Sequence, residues 1–395
     1  MKLSQNLGQL TYCLNIHPTQ TWDDVRSALK GPVAAVKQAI SPDTPFAVGL
    51  RFSGQALAEL EDTAKRRELK ALLEEHDYLG ITVNGFPFGQ FHGTTVKEDV
   101  YQPDWRSVQR VEYTNALADL MAELAPQNEI VSLSTVPGTF KPLGLGAEAQ
   151  MAENFLLCVA HLVALRAHTG VQIALAVEPE PFCFLGTIAE SVSYFTQYLF
   201  STNAAQRLAE LTGLSEAEAA TALPCHLGLC YDVCHAAVEY EDPAASLKAL
   251  REAGIPIHKL QLSAALKIQQ VGPDTRKALR SYQEPTYLHQ VNRRHADGVT
   301  MHRDLPEALA LAEQTDGEEW RVHFHVPVFL EKLGAFSSTR AFLEQILALH
   351  RSEPISPHLE IETYTWDVMP KEIRSATVDQ DIVREMQWVL EQLGQ

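Results

Sequence analysis

Eight short apolar runs recur along this chain, and between them lie stretches whose apolar residues fall at helical spacing. The runs are LTYCLNI (10–16), FAVGLRFS (46–53), LGITVNGF (79–86), EIVSLSTV (129–136), QIALAVE (172–178), LGLCYDV (227–233), HKLQLSA (258–264) and HLEIETY (358–364). Segments such as ALAELEDTAKRRELKALLEEH and AENFLLCVAHLVALRAH separate them. Strands that alternate with helices pair in parallel through right-handed crossovers. Eight such units are what a closed (β/α)8 barrel requires, and its active face lies at the C-terminal ends of the strands. The rival arrangement is an open, doubly wound sheet, which carries a Gly-rich phosphate loop after its first strand; none follows LTYCLNI. The expectation is an α/β barrel forming one domain over residues 1–395, without repeats or a Pro-rich linker. Two connectors are long: 201–224 after the fifth run, with a Thr-Gly-Leu-Ser turn, and 265–322 after the seventh, polar and dotted with aromatics. Both are expected to be insertions on the active face, where long loops act as lids or select substrates.

Composition excludes several classes of function. The formal charge is −18 and no basic stripe is present, which argues against nucleic acid and against docking on anionic membranes. The longest apolar segment, FLLCVAHLVALRA, is too short and too marked by His and Arg to span a bilayer. The N-terminal MKLSQNLGQLTYCLNI lacks the apolar stretch of a secretory signal. Six cysteines in 395 residues do not make a disulfide scaffold, so a reduced, cytoplasmic protein is expected. Cys225, Cys230 and Cys234 match no zinc-finger spacing and are expected to be small buried hydrophobes.

Chemistry concentrates where four apolar runs of the second half stop. IALAVEPEP ends on Glu178 and Glu180, LGLCYDVCH on Asp232 and His235, VHFHVPVF on His323 and His325, and HLEIETYTW on Glu360 and Glu362. Charged groups are costly to bury unpaired, so several at one end of a core ask for a counter-ion, and a divalent cation supplies it. Alternate strand residues share a face, which puts Glu360 and Glu362 together, with Glu362 nearer the barrel mouth. Glu178, Asp232, Gln261 and Glu362 would form an oxygen-rich shell suited to magnesium or manganese. His235, His323 or His325 would move the preference toward manganese, cobalt or zinc. Each residue also has an ordinary reading: a strand-end acid is commonly a helix N-cap, and His323 and His325 alone would be half-buried histidines. Acids and histidines at the ends of three strands together favour the metal centre. His17, Arg51, Asn84, His92 and Lys141 are expected to line the pocket, with Tyr364 and Trp366 covering it.

This constellation resembles the xylose-isomerase-like TIM barrels, which include sugar isomerases, keto-sugar epimerases, inosose dehydratases and endonuclease-IV-type phosphodiesterases. Ala-Val-Glu-Pro-Glu-Pro is similar to the Glu-Pro-Lys-Pro segment of xylose isomerases, which implies that Glu178 binds metal and that Glu180 stands in place of their catalytic lysine. Asp232-Val-Cys-His235 resembles the Asp-x-x-His element of the epimerases and endonucleases, with Gln261 where strand seven of those families carries a histidine. Longer motifs cover nearly the whole chain: LTYCLNIHP, NGFPFGQFHG, VKEDVYQPDWR, SLSTVPGTFKPL, LAVEPEP, YDVCHAAVEYE, HFHVPVF and LEIETYTWDVMP. They are similar to the EboE family of metabolite-traffic proteins. That resemblance implies a sugar-phosphate isomerase/epimerase-like barrel handling a secondary-metabolite precursor, with other Ebo proteins, including a UbiA-type prenyltransferase, as partners.

The leading expectation is a divalent-metal-dependent isomerase or epimerase of a small metabolite. Glu178 and Glu362 would exchange a proton as base and acid, and His235 would hold a substrate oxygen. Glu180, His323 and Tyr364 would contact substrate. Two alternatives are a non-catalytic carrier that hands its ligand to membrane partners and a metal-dependent phosphoesterase.

Overall fold

A computed structural model describes residues 1–126 and 129–395 of the chain. Its strands are β1 (Gln9–Tyr12), β2 (Phe46–Arg51), β3 (Tyr78–Asn84), β4 (Ile130–Thr135), β5 (Gln172–Val177), β6 (Leu227–Asp232), β7 (Ile257–Leu262), β8 (Ala264–Ile268), β9 (Val291–His295), β10 (Gly298–His302), β11 (Glu319–Val326), β12 (Lys332–Leu333), β13 (Phe336–Ser338) and β14 (His358–Ile361). Eight of them form one parallel sheet in the order β1-β14-β7-β6-β5-β4-β3-β2. A parallel bridge from Cys13 to Gly49 joins its two outer strands. Thr11 reinforces that seam, its Oγ1 donating to Ala47 O at 2.7 Å and accepting from Gly49 N at 3.0 Å. The expected (β/α)8 barrel is thereby formed, and all eight sequence runs supply its strands.

Alternation along the strands sorts the residues. Leu10, Phe46, Val48, Leu50, Val83, Leu133, Leu175, Leu229, Leu260, Leu262 and Leu359 are buried in the main apolar core. The other positions are small or polar and bond across the barrel interior. Ser132 Oγ donates to Thr82 Oγ1 at 2.8 Å, and His358 Nδ1 lies 2.8 Å from the same Ser132 oxygen. Lys259 Nζ reaches Ser134 Oγ at 3.3 Å, from β7 to β4. Barrel interiors are ordinarily filled by branched apolar side chains. This one is polar, and nearly every group in it must find a partner on another strand.

Both expected insertions are present, but 201–224 does not lie on the active face: its last helix ends at the start of β6, where Cys225 O accepts from Gln172 Nε2 at the start of β5. Between β5 and β6 the chain builds helices Ile188–Tyr194, Thr202–Thr212 and Glu216–His226. The Thr-Gly-Leu-Ser turn separates the last two: Gly213 takes a φ of 76°, and Ser215 with Glu218 forms a capping box. The excursion after β7 is more ordered than a lid loop. It forms a second, antiparallel sheet in the order β10-β9-β11-β8-β13-β12. The HFHVP run is therefore a strand, but of this second sheet and not of the barrel. Among the described residues, no helix is long and apolar enough to cross a membrane.

Two consequences can be measured. A methyl group at Gly49 would lie 1.8 Å from Glu360 Oε2 and 2.7 Å from Tyr12 O, and the backbone oxygen cannot move without opening the seam. Gly49→Ala should cost about 1–3 kcal/mol in urea unfolding; an unchanged midpoint would show the seam to be loose. Burial also lowers the imidazole pKa values, to about 4 for His17 and His258 and to about 3 for His358. The folded state then binds fewer protons than the unfolded chain below the ordinary value of 6.5, so this stability is present above 6.5 and is lost as pH falls toward about 4. His358→Gln should flatten that acid loss by at most about 5 kcal/mol; an unaltered pH slope would remove His358 from the account.

Candidate metal centre and cavity

Three acids meet at the C-terminal mouth of the barrel. Glu178 follows β5 directly, its N–H donating to Thr135 O at 3.0 Å before prolines 179 and 181 end the pairing. Asp232 closes β6 and N-caps the short helix Val233–Val238. Its Oδ1 accepts from His235 N at 3.0 Å and from Ser263 Oγ at 2.7 Å, which leaves Oδ2 buried without a partner. The ordinary N-cap reading thus holds for one oxygen and not for the other. Glu362 follows β14, and its Oε1 accepts from Asn15 Nδ2 at 2.5 Å and from Asn84 Nδ2 at 2.9 Å. One oxygen from each acid lies within 4.8 Å of the other two. Burial first, then the charges of Glu362 and Asp232, push the Glu178 carboxyl well above its ordinary range. Burial and then the Asp232 charge do the same to Glu362.

Beside the acids stand three imidazoles, His323 between His235 and His325. His235 Nδ1 donates to Pro179 O at 2.8 Å, and His323 Nδ1 to Gln290 Oε1 at 2.7 Å. His325 Nδ1 donates to the backbone oxygen of Glu362. Each acceptor is a carbonyl oxygen with no proton to give, so each Nδ1 carries hydrogen and Nε2 is the nitrogen left to accept or to ligate. Those nitrogens face one another, at 3.1 Å for His235–His323 and 3.2 Å for His323–His325. Tetrahedral nitrogen ligands about 2.0–2.1 Å from zinc would stand roughly 3.3 Å apart. Burial, then the neighbouring rings, hold His323 well below the usual imidazole pKa, and burial brings His325 to about 4. Protons therefore do not satisfy the His323 and His325 Nε2 atoms at neutral pH. The β11 strand places both histidines through a register shift against β8 between Val322 and His325.

The donors fit a divalent cation. Glu178 Oε2 and Asp232 Oδ2 are buried and unpartnered, and Asp232 belongs to a carboxylate set with Glu178 and Glu362 as well as to a mixed set with His235 and His325. Cys234 brings its sulfur within 4.8 Å of the His323 and His325 nitrogens, a softer donor than a small buried hydrophobe implies. Gln261 lies beside Asp232 in the sheet register, with both amide atoms buried and unpartnered. That arrangement suits an oxygen ligand at strand seven.

A cavity of about 520 Å³, counting its open mouth, lies over these groups. Of the sequence-predicted residues, Asn84, Glu178, Glu180, His235, His323, Glu362 and Tyr364 line it. Asp232, Gln261 and His325 are buried outside that lining. Five expected pocket residues are placed elsewhere. His17 bonds the Tyr12 hydroxyl at 3.1 Å, away from the cavity. Arg51 is held by the carbonyls of Thr19, Pro87 and Gly89, clamping the loop after β3. His92 stands behind the lining, between Asn15 O and the Tyr287 hydroxyl. Lys141 is ion-paired with Glu190 at 2.6 Å on an outer surface. Trp366 donates to Glu385 and is buried against the last helix rather than covering the pocket. Each sits near a strand exit, but exit position does not decide whether a side chain turns inward.

Other residues of the site were not singled out from sequence. Asn15 orients Glu362. The Tyr101 hydroxyl donates to Glu180 Oε1 at 2.7 Å, and Gln290 Nε2 donates to the same oxygen at 3.0 Å. Tyr101 lay within the quoted VKEDVYQPDWR motif, whereas Gln290 lies in an insertion with no strand-end signal.

No family model matches the chain, and no curated protein matches it in sequence. Among solved structures it aligns with a D-tagatose 3-epimerase-like protein at 12% identity and a TM-score of 0.49, over 98% of this chain and 99% of that one. A xylose isomerase-like TIM barrel protein from Mycobacterium smegmatis, in complex with magnesium, aligns at 10% identity and 0.49, over 98% and 96%. An IolI protein with a bound zinc atom aligns at 11% and 0.45, over 98% of each chain. At such distance the likeness carries no inference about activity, and the barrel assignment stands on its own strand pairing.

Beneath the acids, Lys259 Nζ pairs with Glu360 Oε1 at 2.5 Å, both side chains fully buried. Burial alone would lower the lysine pKa, but the adjoining Glu360 charge outweighs it and keeps the ammonium charged. Removing one partner of such a pair strands the other without water. Lys259→Met should therefore cost about 3–5 kcal/mol in urea unfolding, while Lys259→Met with Glu360→Leu should recover much of it. A double variant no better than the single would show that the pair does not act as a unit.

Proposed function

We propose that this chain is a divalent-metal-dependent isomerase or epimerase of a small hydroxy-ketone or polyol. The observation that carries the reading is the pair of buried carboxylate oxygens without a hydrogen-bond partner, Glu178 Oε2 and Asp232 Oδ2, with the facing His235, His323 and His325 Nε2 atoms beside them and the cavity. Glu178, Asp232 and Glu362 would hold the cation, joined by Gln261, His235 and His325. A bound divalent cation supplies polarisation of a carbonyl and its neighbouring hydroxyl, which makes the adjacent C–H more acidic.

The chain's own groups do the rest. Glu178 and Glu362 approach the cavity from strands three places apart in the sheet, and burial raises the pKa of each carboxyl. Asn15 and Asn84 fix the plane of Glu362. His235 and His323 place ring nitrogens where a substrate oxygen would lie. Glu180 is steadied by Tyr101 and Gln290. A phosphoesterase is the second reading, favoured by the room that two donor sets sharing Asp232 give for more than one cation. On motif resemblance alone, the substrate would be a secondary-metabolite precursor passed among Ebo proteins, including a UbiA-type prenyltransferase.

Elemental analysis of the purified chain should find bound divalent metal, and Asp232→Asn and Glu178→Gln should each weaken metal binding by about tenfold or more. Solvent deuterium should enter a keto-sugar or keto-inositol turned over by the wild type, and not with Glu362→Gln. Metal-free protein that gains no stability on metal titration would sink the enzyme reading and leave a metabolite carrier.

A further inference from the structure

The cavity has two faces of opposite character. Its floor holds Glu178, Glu362, His235 and His323, whereas Phe86, Phe91, Val96, Val100, Leu288 and Tyr364 form its walls. Phe91, Tyr287 and Tyr364 make a three-ring cluster with centroids 5.2, 5.3 and 5.1 Å apart. On another side, Tyr101 stacks on Phe140 at 5.6 Å and meets Phe86 at 5.9 Å. A further ring would find edges and faces at the spacing aromatic pairs prefer. A bare sugar, by contrast, would leave this apolar wall facing its hydroxyls.

Charge narrows the choice further. Lys97 is the cation among the described lining residues, and it is already committed, with Nζ 2.8 Å from Asp304 Oδ2 and 2.6 Å from Tyr287 O. Arg51 is taken up by backbone carbonyls. A phosphate would enter among Glu178, Glu180 and Glu362 with no lining lysine or arginine free to receive it.

We propose that the ligand is an uncharged polyol or hydroxy-ketone bearing an aromatic group, its oxygens at the Glu178–Glu362 floor and its ring against Phe91 and Tyr364. This rests on the metal-dependent isomerase reading, which sets the oxygens deepest.

Isothermal titration of manganese-treated and chelator-treated protein, with glucose, phenyl β-glucoside and glucose 6-phosphate as probes, tests it. Phenyl β-glucoside should bind at least about tenfold tighter than glucose, and the phosphate more weakly than either. Phe91→Ala and Leu288→Ala should each erode the phenyl advantage while bound manganese is unchanged. Tightest binding by glucose 6-phosphate, no phenyl advantage in the wild type, or no binding of phenyl β-glucoside would overturn the inference, whatever the variants do. Manganese content is read separately: a phenyl advantage without bound manganese removes the metal reading alone, and bound manganese without that advantage removes this inference alone.

Discussion

Desolvation of charge is the constraint on which this barrel depends. Its interior is built from Thr, Ser, Asn, Lys, Gln, His and Glu, and each loses water when the sheet closes. Lys259 and Glu360 answer one another at the fully buried axis. Ser132, Thr82 and His358 form a second linked group. At the mouth the pairing stops: Glu178 and Asp232 each keep a carboxylate oxygen without a hydrogen-bond partner, and three imidazoles turn their Nε2 atoms toward one another. The same rule that makes the lower barrel stable makes the upper end a candidate cation site.

The second sheet converts that end into a centre. Without β11, the barrel would present Asp232 and His235 beside three glutamates and one glutamine amide. With it, two more imidazoles arrive, their Nδ1 hydrogens fixed by Gln290 and by the Glu362 backbone. Fixing the far side of a ring fixes where its lone pair points, which is how an outer layer of hydrogen bonds tunes a metal site. The same excursion brings Tyr287 and Leu288 to the cavity wall, so donor geometry and ligand selection come from one insertion.

Strand positions were legible because the alternation is strict. In QIALAV the small residues turn inward and Ile, Leu and Val pack outward, a pattern with period two that needs no distant information. The end-of-strand acids were legible for a related reason: a buried strand that finishes on Glu or Asp must deliver the charge to a sheet edge. Glu178, Asp232 and Glu362 accordingly lie together. Residues in loops were less readable. Lys141 and Arg51 also lie at strand exits, but each had a nearer partner in Glu190 or in backbone carbonyls, and no local signal distinguishes the two outcomes. Lys259 was hidden in the middle of HKLQLSA because its partner is a hundred residues away in the chain.

By itself, then, the sequence determined a closed parallel barrel and the kind of chemistry at its mouth, since both follow from side-chain periodicity and the cost of burying charge. Tertiary structure alone decided which oxygen of Asp232 stays free, that His323 and His325 come from a second sheet to face His235, and that His17, His92, Lys141 and Trp366 stay off the cavity surface. Those outcomes rest on contacts between segments far apart in the chain, where competing hydrogen-bond partners, and not local pattern, choose a side chain's direction.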